Sequence, residues 1–85
     1  MTDILAQKEK THGVFAHTAR TAQNLKTVLH DSLNWDKINI EQAEALEAMC
    51  VKMARIVCGN AEDPDHWLDI AGYAALGRRS VSSEH

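Results

Sequence analysis

Two carboxylates three residues apart, Glu44 and Glu47, stand in the stretch EQAEALEAMCVKMARIVC. At ~100° per residue they fall on one side of a helix with Val51 and Arg55. Carboxylates one turn apart, facing a second such pair, can bind a hard cation such as Mg²⁺. No acid stands three or four residues before Lys52 or Arg55. Neither cation is therefore used in the usual i,i+4 pairing, and both glutamates lack a local counter-charge. A second set of acids, Asp65 and Asp69, follows in PDHWLDIAGYAAL. Asp63 and Asp65 suit the positive end of a helix dipole; Asp69 lies beyond the first turn and has no such role. A bare ExxE spacing is more often a solvated helix face, so the residues alone leave metal binding and plain solvation both standing.

The remaining reactive side chains point to less. His66 and Asp69 are three apart, which permits joint ligation of a metal, although a polar helix-start residue is the commoner role for His66. His12 and His17 are five apart and share a helical face poorly; His30 and His85 stand alone. Cys50 and Cys58 are eight apart on one helical pattern, about 12 Å, too far for a disulfide. With no CxxC pair a zinc knuckle is not expected, and both read as small buried hydrophobes in a reducing compartment. Met49 and Met53 read as core. There is no glycine-rich phosphate loop and no GxSxG.

Helices must position these groups. Thr2 caps a short helix from Asp3 to about Lys10, and Gly13 marks a weak point after it. Val14, Thr18, Thr21, Leu25 and Val28, widened by Ala22 and Leu29, form an amphipathic stripe over Val14 to His30. Trp35 and Ile38 anchor a loop. Asn39, with Gln42 three later, opens a third helix in capping-box style. That helix runs from Ile40 to Val57, with Ala43, Leu46, Cys50, Met53, Ala54 and Val57 as its core stripe, and Gly59 stops it. Asp63 and Pro64 restart a last helix that runs to Arg79. It is apolar on two sides, with Trp67, Ile70, Ala71 and Ala74 opposite Gly72, Tyr73 and Leu76. A helix apolar nearly all round is buried, here partly in a subunit contact where Gly72 permits close approach.

These elements predict an all-α fold: a compact bundle of three main helices plus a short N-terminal helix in residues 1–79, followed by a polar tail, 80–85. The 85 residues are 45% hydrophobic but only 5% aromatic, so the core is built of small aliphatic side chains. A domain of this size is marginally stable alone, and completion by oligomerisation, as a dimer or higher, is expected. A net charge of −3 argues against non-specific binding to nucleic acid, which needs a basic face to displace counterions, and nucleic acid is not expected as a partner. A helix-turn-helix is disfavoured too, because the turn from Cys58 to Asp63 is long and the next helix opens with acids that repel phosphate. No apolar run reaches the ~20 residues of a membrane span and the start is too polar for a signal peptide, so a cytoplasmic location without membrane partners is expected.

The stretch EALEAMCVKMARIVCGNAEDPDHWLDIAGYAAL resembles small phage and prophage proteins with the pattern EAL, then KxARIxxG, then DHWxDIAGYAxL. THGVFAHTA, from Thr11, resembles their upstream portion, so the likeness spans Thr11 to Leu76 and is most specific in its second half. That group is in turn distantly similar to the MazG-like all-α NTP pyrophosphohydrolases. These bind Mg²⁺ through an ExxE pair on one helix and an ExxD pair on the next, and commonly assemble as oligomers. The resemblance implies that Glu44 and Glu47 are catalytic and metal-binding, and that Asp69 is the closing aspartate of the second pair. His66 stands where that pair's first acid belongs, and Asp65, four before Asp69, is the available substitute. Lys52 and Arg55 would contact phosphate oxygens. The implied function is Mg²⁺-dependent nucleotide binding or nucleoside triphosphate pyrophosphohydrolysis in the cytoplasm of a bacterial host. The alternative is a non-catalytic helical interaction module, a phage accessory protein that binds a host protein.

Overall fold

The computed structural model describes residues 4–81; the Thr2 cap, Asp3 and His85 lie outside the described residues. Four helices run in order: α1 (Ile4–His12), α2 (Phe15–His30), α3 (Ile40–Cys58) and α4 (Pro64–Arg79), with a single 3₁₀ turn at Trp35–Lys37 between α2 and α3. The fold is all-α, as the periodicity predicts, and there is no strand among the described residues. None of these helices is long and apolar enough to cross a membrane.

Local chemistry sets the helix ends. The Gln42 N–H donates to Asn39 Oδ1 at 2.7 Å and the Asn39 N–H donates back to Gln42 Oε1 at 3.0 Å. This capping box satisfies two backbone donors at the start of α3. At α4, Asp63 Oδ1 accepts from the Asp65 N–H at 2.9 Å, and Pro64 occupies the first helical position. Caps of this kind contribute about 1 kcal/mol each.

The third helix is the central layer. α2 and α4 pack against it and hardly against each other. On the α2 side, His30 reaches Glu47, and Thr21 Oγ1 lies 3.4 Å from Cys58 Sγ. On the α4 side, Lys52 pairs with Asp69, and Gly77 sits over Ala45. Ala45 and Ala54 are both buried, yet at ~100° per residue they point in opposite directions. A helix flanked on two sides buries two narrow faces rather than one stripe. This corrects the expected core: Met53 is 39% exposed and Val57 72%. They lie on the open edge between the two buried faces. Val14 and Val28 of the second-helix stripe are exposed as well.

At one end the chain crosses itself. Gly13 has φ +86°, a conformation that favours glycine. A Cβ there would collide with the Cys58 carbonyl oxygen, and a Cβ on Gly59 would collide with the Thr11 carbonyl oxygen. The same Thr11 oxygen accepts from the Asn60 N–H at 3.0 Å and from His66 Nε2–H at 2.8 Å. His66 is only 2% exposed and its ring centroid lies 5.2 Å from that of His12. Thr18 Oγ1 donates to the His12 carbonyl at 2.8 Å. The expected role of His66 as a polar helix-start residue is thus overturned: it belongs to the core and ties α4 to the end of α1.

The bundle is long, 54 × 24 × 20 Å, with a radius of gyration of 14.8 Å, where a sphere-like domain of this length has about 12 Å. The outer face of α4 accounts for part of its open surface. Trp67 is 55% exposed and Leu68 68%; the Trp67 indole N–H donates to the Ala61 carbonyl at 2.7 Å, fixing the loop before α4.

Candidate functional site

Along one edge of α3, the side chains of Glu44, Glu47, Ala48, Val51, Lys52 and Arg55 line an open groove of about 380 Å³. Lys26 of α2 and Tyr73 of α4 form its banks. Four of the six residues singled out in the sequence therefore share one groove. They do so because they sit on the edge of α3 that neither neighbouring helix covers. The other two are placed differently. Asp69 Oδ2 is 3.0 Å from Lys52 Nζ, so it touches the groove through that ion pair without lining it. Asp65 is exposed on the first turn of α4 and does not line the groove.

Within the groove the charges are unevenly matched. Glu47 Oε2 accepts from His30 Nε2–H at 2.8 Å, and the His30 ring packs on Trp35 with centroids 4.9 Å apart. Glu44, Lys26 and Arg55 make no ion pair among the described residues. Among those residues, no group of three or more His, Cys, Asp or Glu side chains is arranged around a common metal position. Glu44 and Glu47 offer two carboxylates, one oxygen of which already accepts from His30. That number suits Mg²⁺, which commonly takes one or two carboxylates and completes its shell with water and ligand phosphates. It does not suit a structural Zn²⁺ site, which needs four protein ligands.

A second cavity, of about 470 Å³, opens between α1, α2 and α3. Its apolar wall includes Leu5, Phe15, Ala19 and Ala22. Lys26, Val51 and Arg55 line this cavity and the charged groove alike, so the two adjoin along α3. His12 also lines it. Partial burial, reinforced by the positive charge of Arg55 and by His66 and Lys8, holds His12 below the ordinary histidine pKa. The ring therefore stays neutral at neutral pH. Burial pushes the Cys50 thiol up, which keeps it protonated and unreactive.

Lys26, Tyr73 and the apolar wall carry no signal in the sequence. Their place depends on how α2 and α4 seat on α3, and no local spacing encodes that. His30 stands out only as one of five histidines until the fold brings it to Glu47.

A family model, a domain of unknown function (DUF6378), matches residues 2–81. No curated protein and no solved structure matches the chain.

Proposed function

We propose that this chain, which belongs to the DUF6378 family, is a phage-type, MazG-like cytoplasmic protein that binds a nucleotide together with Mg²⁺. One observation carries this reading: an apolar cavity and a charged groove adjoin, and Lys26, Val51 and Arg55 line both. A nucleoside triphosphate has the matching polarity, with a flat apolar base joined to a polyanionic tail. Phe15 and Ala19 offer a surface for the base. Arg55 and Lys26, which make no ion pair among the described residues, offer donors for phosphate oxygens, and Arg55 can grip two at once. Lys52 joins them if Asp69 releases it. Glu44 and Glu47 would hold Mg²⁺, and His30 fixes the rotamer of Glu47. When bound, Mg²⁺ neutralises phosphate charge and can orient a water. Pyrophosphohydrolysis is the reaction such a site would support. Water adds to the α-phosphorus, the bond from that phosphorus to the bridging oxygen breaks, and pyrophosphate leaves with the monophosphate as the second product.

Thermal-shift and calorimetric titration with a panel of NTPs and dNTPs, each with and without Mg²⁺, tests the reading. We expect Mg²⁺-dependent stabilisation by at least one nucleotide, lost in Arg55→Ala. If turnover occurs, Glu47→Gln abolishes pyrophosphate release. A full panel with neither stabilisation nor turnover overturns the proposal.

The second reading, a helical module that binds a host protein without catalysis, draws on a different observation. Phe15 is 81% exposed at the mouth of the apolar cavity. Under it, Phe15→Asp abolishes partner binding while Glu44→Gln and Asp69→Asn leave it intact.

A further inference from the structure

We infer that the outer face of α4 is a homodimer interface, in which two copies of the helix pack antiparallel across a two-fold axis centred near Gly72. This does not depend on the nucleotide reading. The inner face of α4 is used within the chain: Gly77 sits over Ala45 of α3, and the buried His66 donates to the Thr11 carbonyl at the end of α1. The opposite face carries Leu68, Ala71, Gly72 and Ala75, all exposed. Gly72 is the informative position. A glycine inside a helix costs about 1 kcal/mol relative to alanine, and a Cβ there would meet nothing within 4 Å in the chain. No intrachain contact requires a glycine at this position, whereas a second helix crossing here would, because small residues let two backbones approach to about 8 Å.

Charge selects the occupant and its direction. The acid Asp65 stands at the start of α4 and Arg79 at its end. At ~100° per residue they border the same edge of the outer face. Neither makes an ion pair among the described residues. A two-fold axis through the helix centre brings like edges together with their directions reversed. Asp65 of one copy then meets Arg79 of the second, twice over, and Leu68 meets Ala75 and Leu76. A parallel pairing would carry the two like edges to opposite sides of the contact, and Asp65 would then meet no arginine of the second copy. The face is therefore complementary to itself in one orientation.

Sedimentation equilibrium across a dilution series, with the full chain, tests this. We expect a dimer of the 9.4 kDa chain. Gly72→Leu should raise its dissociation constant by roughly a hundredfold, while the far-ultraviolet circular dichroism stays helical, since leucine favours the helix. A mixing experiment reads the direction. Asp65→Lys chains place lysine against Arg79 in their own dimer, and Arg79→Glu chains place glutamate against Asp65. Each alone should associate roughly tenfold more weakly, and a one-to-one mixture should recover a heterodimer near wild-type affinity. A wild-type chain that stays monomeric, a dimer indifferent to Gly72→Leu, or a mixture no tighter than its components would each overturn the inference.

Discussion

The crossing at Gly13, Gly59 and His66 and the groove along Glu44, Lys52 and Arg55 are built on opposite principles. At the crossing, backbone lies on backbone, two glycines leave no room for a Cβ, and the Thr11 carbonyl accepts two hydrogen bonds. In the groove, charged side chains flank open space, and Glu44, Lys26 and Arg55 make no ion pair among the described residues. A closed, fully partnered junction stabilises the fold and has nothing to offer a ligand. An open one with unmatched charge contributes little to stability and retains donors for something else. The two regions should therefore respond to substitution in opposite ways.

The largest effects belong to the crossing. Gly13→Ala adds a clash with backbone to an unfavourable φ, and Gly59→Ala adds a clash with backbone alone. Backbone on both sides cannot rotate away as a side chain can. Each change should cost roughly 3 kcal/mol, at the upper end of overpacking costs. Urea denaturation measures it, and a cost below about 0.5 kcal/mol, the scale of an ordinary surface change, would break the contrast. Next comes His66→Phe, which keeps the ring volume but removes the donor to Thr11. That oxygen retains the Asn60 N–H, so the expected cost is smaller, about 1–2 kcal/mol.

Acid should act on the same junction. His12 titrates below its ordinary value because burial and nearby Arg55 disfavour the imidazolium. As pH falls through about 6.5, the unfolded chain takes up this proton before the folded one does. Stability contributed by neutral His12 is thus intact above pH ~6.5 and declines on acidification toward the lower, folded-state pKa. Urea midpoints measured from pH 7.5 down to 5 should fall for the wild type and fall less steeply for His12→Gln. Equal slopes for the two proteins would remove His12 from the account.

How much of this is legible in the sequence follows from range. The caps of α3 and α4 are, because Asn39 with Gln42 and Asp63 with Pro64 act within one turn. The grouping of Glu44, Glu47, Lys52 and Arg55 is also legible, because one uncovered helix edge holds them all. The meeting of Gly13 with Gly59 is not: each reads correctly as punctuation, but they stand 46 positions apart and only the packing of α1 against the end of α3 joins them. The α3 stripe misleads because one helix serves two neighbours, which left Met53 and Val57 outside. His66 misleads because a titratable residue in the first turn of a helix is usually solvated. Its burial also bears on the departure from an ExxD pair. The position three before Asp69 faces the core, whereas Asp65 faces out, so an acid at 66 would be buried against a carbonyl oxygen.

The smallest expected effects on stability belong to the groove, and they sharpen the contrast most. Glu44→Gln and Arg55→Ala break no ion pair among the described residues, and exposed charges of this kind contribute at most about 1 kcal/mol even when paired. Both proteins should unfold within about 0.5 kcal/mol of wild type. Removing Glu44 also removes one of two neighbouring negative charges, so its variant can be slightly more stable. If instead Arg55→Ala costs as much as His66→Phe, then Arg55 holds α3 to the end of α1 near His12 and belongs to the junction. The groove would then lose the cation that joins its charged and apolar halves. Near-neutral stability together with loss of Mg²⁺–nucleotide stabilisation in the same variant is the pattern that separates a binding residue from a structural one.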